Sequence, residues 1–187
     1  FSHCIYTDDL GSTWKVGGTP LPEGGNESTI CELSDGRLMM NMRHRGPAGT
    51  RRLVSISSDG GDTWSEVTEQ KGLIEPRCEG SILNYHPVGS APSSTLLFSN
   101  PRSRVSRNKM SISISRNDGT DWKEYLPVRS DNTGYSDLVN MPDGKSVGII
   151  YHDIGVVFFS QCHDFRHFGN ITFHTEHTVY GDQFNFI

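Results

Sequence analysis

The chain has 187 residues, 34% of them hydrophobic and 21% charged, with a formal net charge of −5. That length can bury one substantial core. The weak negative balance, with no long block of like charges, argues against nucleic acid as a partner, and no apolar run is long enough to cross a bilayer as a helix.

Reading along the chain, residues 3–6 form a β-rich run that leads straight into Thr7-Asp8-Asp9-Leu10-Gly11-Ser12-Thr13-Trp14. Because this opening run starts at Phe1 rather than at a methionine, we expect the natural start to lie upstream. The eight-residue pattern S/T-x-D-x-G-x-T-W returns fifty residues later at 57–64. A third copy follows after fifty-eight more, at 115–122, with Asn117 and Asp121 standing where Asp and Thr are usual. Short Ser, Asp and Asn side chains hydrogen-bond the nearby backbone, and Gly supplies a positive φ. Each copy is therefore expected to close a hairpin, with the Trp opening the next strand.

Between these turns, strands are expected over 37–42, 52–57, 94–99, 110–115, 146–151 and 156–160, where apolar residues alternate or run in short blocks. Gly and Pro clusters at 17–25, 46–49 and 87–92 read as loops. Helical periodicity is almost absent. Repeats of fifty to sixty residues, each holding several short strands, predict an all-β propeller in which this chain supplies a little over three blades. Three blades cannot close a ring, so residues 1–187 are read as one partial propeller domain whose missing blades precede residue 1.

Cys4, Cys31, Cys78 and Cys162 lie far apart with no Cys-x-x-Cys pair. Buried free thiols are expected, with two disulfides as the alternative in an oxidising compartment. The sequons at Asn26 and Asn170 would permit glycosylation there, but sequons this short arise by chance and leave the compartment open; a lysosomal, membrane-associated or secreted setting is favoured over the cytoplasm. Cys162, His163, His167, His174 and His177 lack a matching half-site, and no metal is expected.

The turn motifs, together with the segments around Glu27, Arg43, Arg107 and Tyr135, resemble the C-terminal half of an exo-α-sialidase, in which such turns are called Asp boxes. Gly25-Asn26-Glu27-Ser28, then Cys31-Glu32-Leu33-Ser34-Asp35-Gly36-Arg37-Leu38 and Asn41-Met42-Arg43, resemble the stretch with the catalytic Glu and the second arginine of a triad. Leu97-Phe98-Ser99-Asn100-Pro101 followed by Arg107-Asn108-Lys109-Met110 resembles the segment of the third arginine, and Gly134-Tyr135-Ser136-Asp137-Leu138 the tyrosine segment. Arg102 and Arg104 compete with Arg107 for that role, and Arg45, Arg51 and Arg52 read as solvated at a blade edge.

The resemblance implies a six-bladed propeller and a retaining glycoside hydrolase without cofactor, acting on sialylated glycoproteins, oligosaccharides or gangliosides. Tyr135 is then the nucleophile and Glu27 its base. Arg43 and Arg107 bind the substrate carboxylate. The first arginine and an acid/base Asp are expected in the upstream blades, so this chain alone is expected to be inactive. Residues 73–81 match a recurrent family stretch, with Glu79 where Gln is usual; Glu75 reads as a loop residue and Glu79 as a rim contact. Where the family has Tyr-Glu, the Glu orienting the first arginine, this chain has Tyr151-His152-Asp153, and Asp153 is the candidate substitute. A non-catalytic Asp-box propeller that binds glycans or proteins, and a trans-sialidase, are the alternative readings.

Overall fold

The computed structural model describes residues 1–47, 50–153, 156–162 and 173–180. The described residues form a two-stranded hairpin followed by three four-stranded antiparallel sheets, each with its strands in sequence order. The hairpin is β1 (Ile5–Tyr6) and β2 (Lys15–Val16). The first sheet holds β3 (Gly25–Glu32), β4 (Leu38–His44), β5 (Arg51–Ser57) and β6 (Thr68–Ile74). The second holds β7 (Ser81–Asn84), β8 (Leu96–Pro101), β9 (Asn108–Ser115) and β10 (Lys123–Asn132). The third holds β11 (Ser136–Asn140), β12 (Val147–Asp153), β13 (Val156–Cys162) and β14 (Phe173–Tyr180). The leading strands β3, β7 and β11 lie side by side, and the sheets fan out from them as propeller blades.

Strand alternation builds the cores between blades. On β9, Met110, Ile112 and Ile114 join Leu97, Leu138, Val147, Ile149 and Tyr151 between the second and third sheets. The intervening Ser111, Ser113 and Ser115 point to the opposite face, also buried. Cys31, Leu33, Met39, Leu73, Ile82, Phe98 and Trp122 fill the space between the first and second sheets. Met40, Met42 and Leu53, on the other face of the first sheet, pack on Cys4, Trp64 and Val67. Stacking successive sheets therefore buries what no single sheet could cover.

All three turn motifs fold alike. In the second, the Ser57 hydroxyl accepts the Gly61 N–H at 2.9 Å, and Asp59 accepts from the Thr63 N–H at 2.9 Å and the Thr63 hydroxyl at 2.5 Å. Gly60 and Gly61 have φ of 73° and 99°, so the tight turn needs their left-handed backbone. The first motif repeats these bonds with Thr7, Asp9, Gly11 and Thr13. In the third, Asn117 accepts the Asp121 N–H at 3.0 Å while its own amide donates to the Asp121 carboxylate at 3.2 Å. Donor and acceptor have changed places and the turn survives. The second and third motifs join the third and fourth strands of a sheet, at the end opposite the starts of β3, β7 and β11.

Cys4, Cys31 and Cys78 are free thiols, and burial raises the Cys31 pKa to about 12 and the Cys78 pKa to about 11. The Cys162 side chain, His163, His167 and the Asn170 sequon lie outside what is described.

Candidate active site

The site forms where the leading strands begin. On the first sheet the ladder pairs Gly25 with His44 and Ser28 with Met42, with a register shift between them. That irregularity places Asn26 and Glu27 across from Arg43, the kind of local re-aiming that bulges provide. Glu27 sits on β3, which begins at Gly25, where the loop expected over 17–25 ends. Arg43 Nη1 donates to Glu27 Oε2 at 2.5 Å. From the third sheet, the Tyr135 hydroxyl donates a short hydrogen bond to Glu27 Oε1. Arg107, from the β8–β9 connection of the second sheet, holds its guanidinium carbon 5.6 Å from the centre of the Tyr135 ring. Three blades thus bring together Glu27, Arg43, Arg107 and Tyr135.

Their electrostatics follow from these contacts. Burial works against the Glu27 carboxylate, yet the Tyr135 hydroxyl, Arg43 and Arg107 together hold its pKa below the usual value. The hydrogen bond to Glu27, followed by burial, pushes the Tyr135 phenol up. At neutral pH the resting pair is a neutral phenol facing an ionised carboxylate. Such a pair can pass the phenol proton to Glu27 when Tyr135 attacks an electrophilic carbon.

Asp153 is placed elsewhere. Its carboxylate lies 3.3 Å from Arg129 on β10. The preceding residue, His152, is the one that meets the tyrosine: its Nε2 accepts the Tyr135 N–H at 3.1 Å, and the two rings lie 5.6 Å apart. Successive strand residues face opposite sides, so the one-residue offset decides which of them reaches Tyr135. Gly134 makes room for this, since a Cβ there would meet the His152 ring at 2.5 Å.

Two expectations on charged residues are corrected. Arg52 is not solvated at a blade edge but fully buried, with its guanidinium 5.3 Å from the centre of the Phe98 ring. Glu75 is fully buried too, and Arg52 Nη1 donates to its Oε2 at 2.5 Å. Burial pushes the Arg52 pKa down and the Glu75 pKa up, so each charge is held by the other. The sequence carried a faint signal for this pair, because Arg52 directly precedes the apolar Leu53-Val54. Glu79 lines the cleft and accepts the Ser136 N–H at 3.1 Å, and burial raises its pKa to about 7.

Beside Tyr135 opens a cleft of about 580 Å³, lined by Ser28, Glu79, Ser136, Ile150 and His152 among others. Among the described residues no group of three or more His, Cys, Asp or Glu is gathered to hold a metal ion. No helix is long and apolar enough to cross a membrane.

Fold and site together define part of an Asp-box β-propeller with a tyrosine–carboxylate–arginine cluster beside a cleft. Residues 1–149 match the family model of the BNR repeat-like domain. The chain is 37% identical over 150 residues to a sialidase of Micromonospora viridifaciens, covering 79% of this chain and 23% of that protein. It is 33% identical over 152 residues to a sialidase of Bacteroides fragilis, covering 79% of this chain and 27% of that protein. Among solved structures it is similar to the Hadza microbial sialidase Hz136, with a TM-score of 0.66 and 33% identity over 79% of this chain and 29% of that one. The chain belongs to the sialidase family with BNR (Asp-box) repeats. It spans about a quarter of the length of the curated relatives named here.

Proposed function

We propose that this chain supplies the nucleophile, its base and two substrate-binding arginines to an exo-α-sialidase that works by a retaining mechanism. The observation that carries the reading is the chain of contacts from Tyr135 through Glu27 to Arg43. A sialic acid bears a carboxylate on the very carbon that is attacked. An Asp or Glu nucleophile would be repelled by it, whereas a neutral phenol approaches without that cost. Arg43 and Arg107 are the cations for the substrate carboxylate, and Arg43 also keeps Glu27 ionised.

In the first step Tyr135 Oη bonds to the anomeric carbon as the bond to the aglycone oxygen breaks. The phenol proton passes to Glu27, and the aglycone oxygen takes its proton from an acid elsewhere in the protein. In the second step water attacks the same carbon and gives a proton to the group that had protonated the aglycone, while Tyr135 leaves and Glu27 returns the proton to it. Two inversions at one carbon retain configuration. The acid and a further arginine are assigned to parts of the protein outside this chain, in keeping with its share of its relatives' length, and residues 1–187 alone should not turn over substrate.

Replacing Tyr135 by Phe in the full-length protein tests the reading on a fluorogenic sialoside. Hydrolysis should fall by at least ~10³-fold, because the nucleophile is gone, while sialoside binding persists. Unchanged turnover would remove Tyr135 from the mechanism. A non-catalytic binding propeller would show no turnover in either protein.

A further inference from the structure

The connection from β6 to β7, residues 75–80, touches the surroundings of three site residues at once. Glu75 Oε1 accepts the N–H of His44, the neighbour of Arg43, at 2.6 Å. The carbonyl of Arg77, a residue in left-handed backbone with φ of 60°, accepts Arg107 Nη2 at 2.9 Å. Glu79 Oε2 accepts the N–H of Ser136, the neighbour of Tyr135. The connection is itself fixed from below. Arg52 donates to Glu75, to the Cys78 carbonyl at 2.8 Å, and through Nε to Asn41 Oδ1 on β4 at 2.7 Å.

Each of these bonds links a different blade to one short segment. Arg43 belongs to the first sheet, Arg107 to the second and Tyr135 to the start of the third. Glu27 holds the Tyr135 hydroxyl, and His152 holds the Tyr135 N–H and carbonyl from within the third sheet. The next backbone N–H, that of Ser136, is held from outside that sheet, by Glu79. We propose that residues 75–79, anchored by the buried Arg52–Glu75 pair, form a brace that sets Arg43, Arg107 and Tyr135 relative to one another, with Glu79 as the positioning residue for Tyr135.

The inference rests on the reading of Tyr135 as nucleophile, so both are tested together in the full-length protein on a fluorogenic sialoside. Glu79→Ala removes the acceptor and should lower kcat by ~10²-fold, the scale of an ångström of misplacement, with KM changed less than about threefold. Glu79→Gln keeps a carbonyl oxygen for the Ser136 N–H and should stay within about threefold of the parent. Glu79→Met, close in volume and without a strong acceptor, should reproduce the Ala loss if Ala folds poorly. A merely structural role would lower the melting temperature and leave kcat of the folded protein unchanged. Parent-like kcat in Glu79→Ala or Glu79→Met, or a Gln variant as impaired as they are, overturns the brace. Tyr135→Phe run alongside separates the two claims: if it is inactive while Glu79→Ala is unimpaired, only the brace fails, and if it stays active the nucleophile reading fails.

Discussion

Glu27 makes one carboxylate serve two partners, and its protonation sets the acid side of the chemistry. Its pKa is depressed in the folded protein, so it adds stability that is present above the ordinary Glu value and lost as pH falls through the lowered one. The same ionisation is needed for Glu27 to take the tyrosine proton. The acid limb of kcat/KM, which reports the free enzyme, should therefore lie below the ordinary Glu range, and Arg43→Met should move it upward, since a cation that favours the carboxylate is removed. A pH profile of kcat/KM for the two full-length proteins checks this; an unmoved limb means that Arg43 does not tune Glu27. Arg43 and Glu27 were legible in the sequence only through the order of motifs around them. The partnership of Tyr135 with His152 was not, because it depends on which face of β12 each of two adjacent residues takes.

At the scale of the element, strands that alternate cleanly were readable and those at the inner edge were not. β9 reads Met-Ser-Ile-Ser-Ile-Ser and folds accordingly. β3, in contrast, runs Gly-Asn-Glu-Ser-Thr-Ile-Cys-Glu and buries little of its polar first half, because the leading strand faces the open centre rather than a core. β10 carries Pro127 and three register shifts against β9, which break the period-two signal. The turn motifs were legible in full, and the Asn117–Asp121 exchange shows why: the turn requires a pair of complementary groups, whichever side donates. The buried Arg52–Glu75 pair escaped sequence reading because charged residues are rarely buried, and only a partner twenty-three positions away makes it tolerable. Glu75→Ala should cost about 3–5 kcal/mol in a denaturant titration, since it strands a buried guanidinium. A loss under about 1 kcal/mol, the scale of a surface pair, would contradict the structural weight given to this pair.

Across the whole molecule, chemistry and repeat lie at opposite ends of the same strands. The second and third Asp boxes sit between the third and fourth strands of their sheets, and the site residues cluster where leading strands start, so these turns stay away from the candidate site. On the third sheet Val139 is exposed on the same face as Ile150, which lines the cleft beside Tyr135. The central claim is that Tyr135, activated by Glu27, forms a covalent bond to the sugar, and the most direct measurement is to trap that bond. The full-length protein is treated with a 3-fluorosialyl fluoride, which reacts and then hydrolyses slowly, and its peptides are read by mass spectrometry. An adduct on the peptide containing Tyr135, lost in Tyr135→Phe, is the predicted result; an adduct on another residue, or none while the reagent is still turned over, would contradict it.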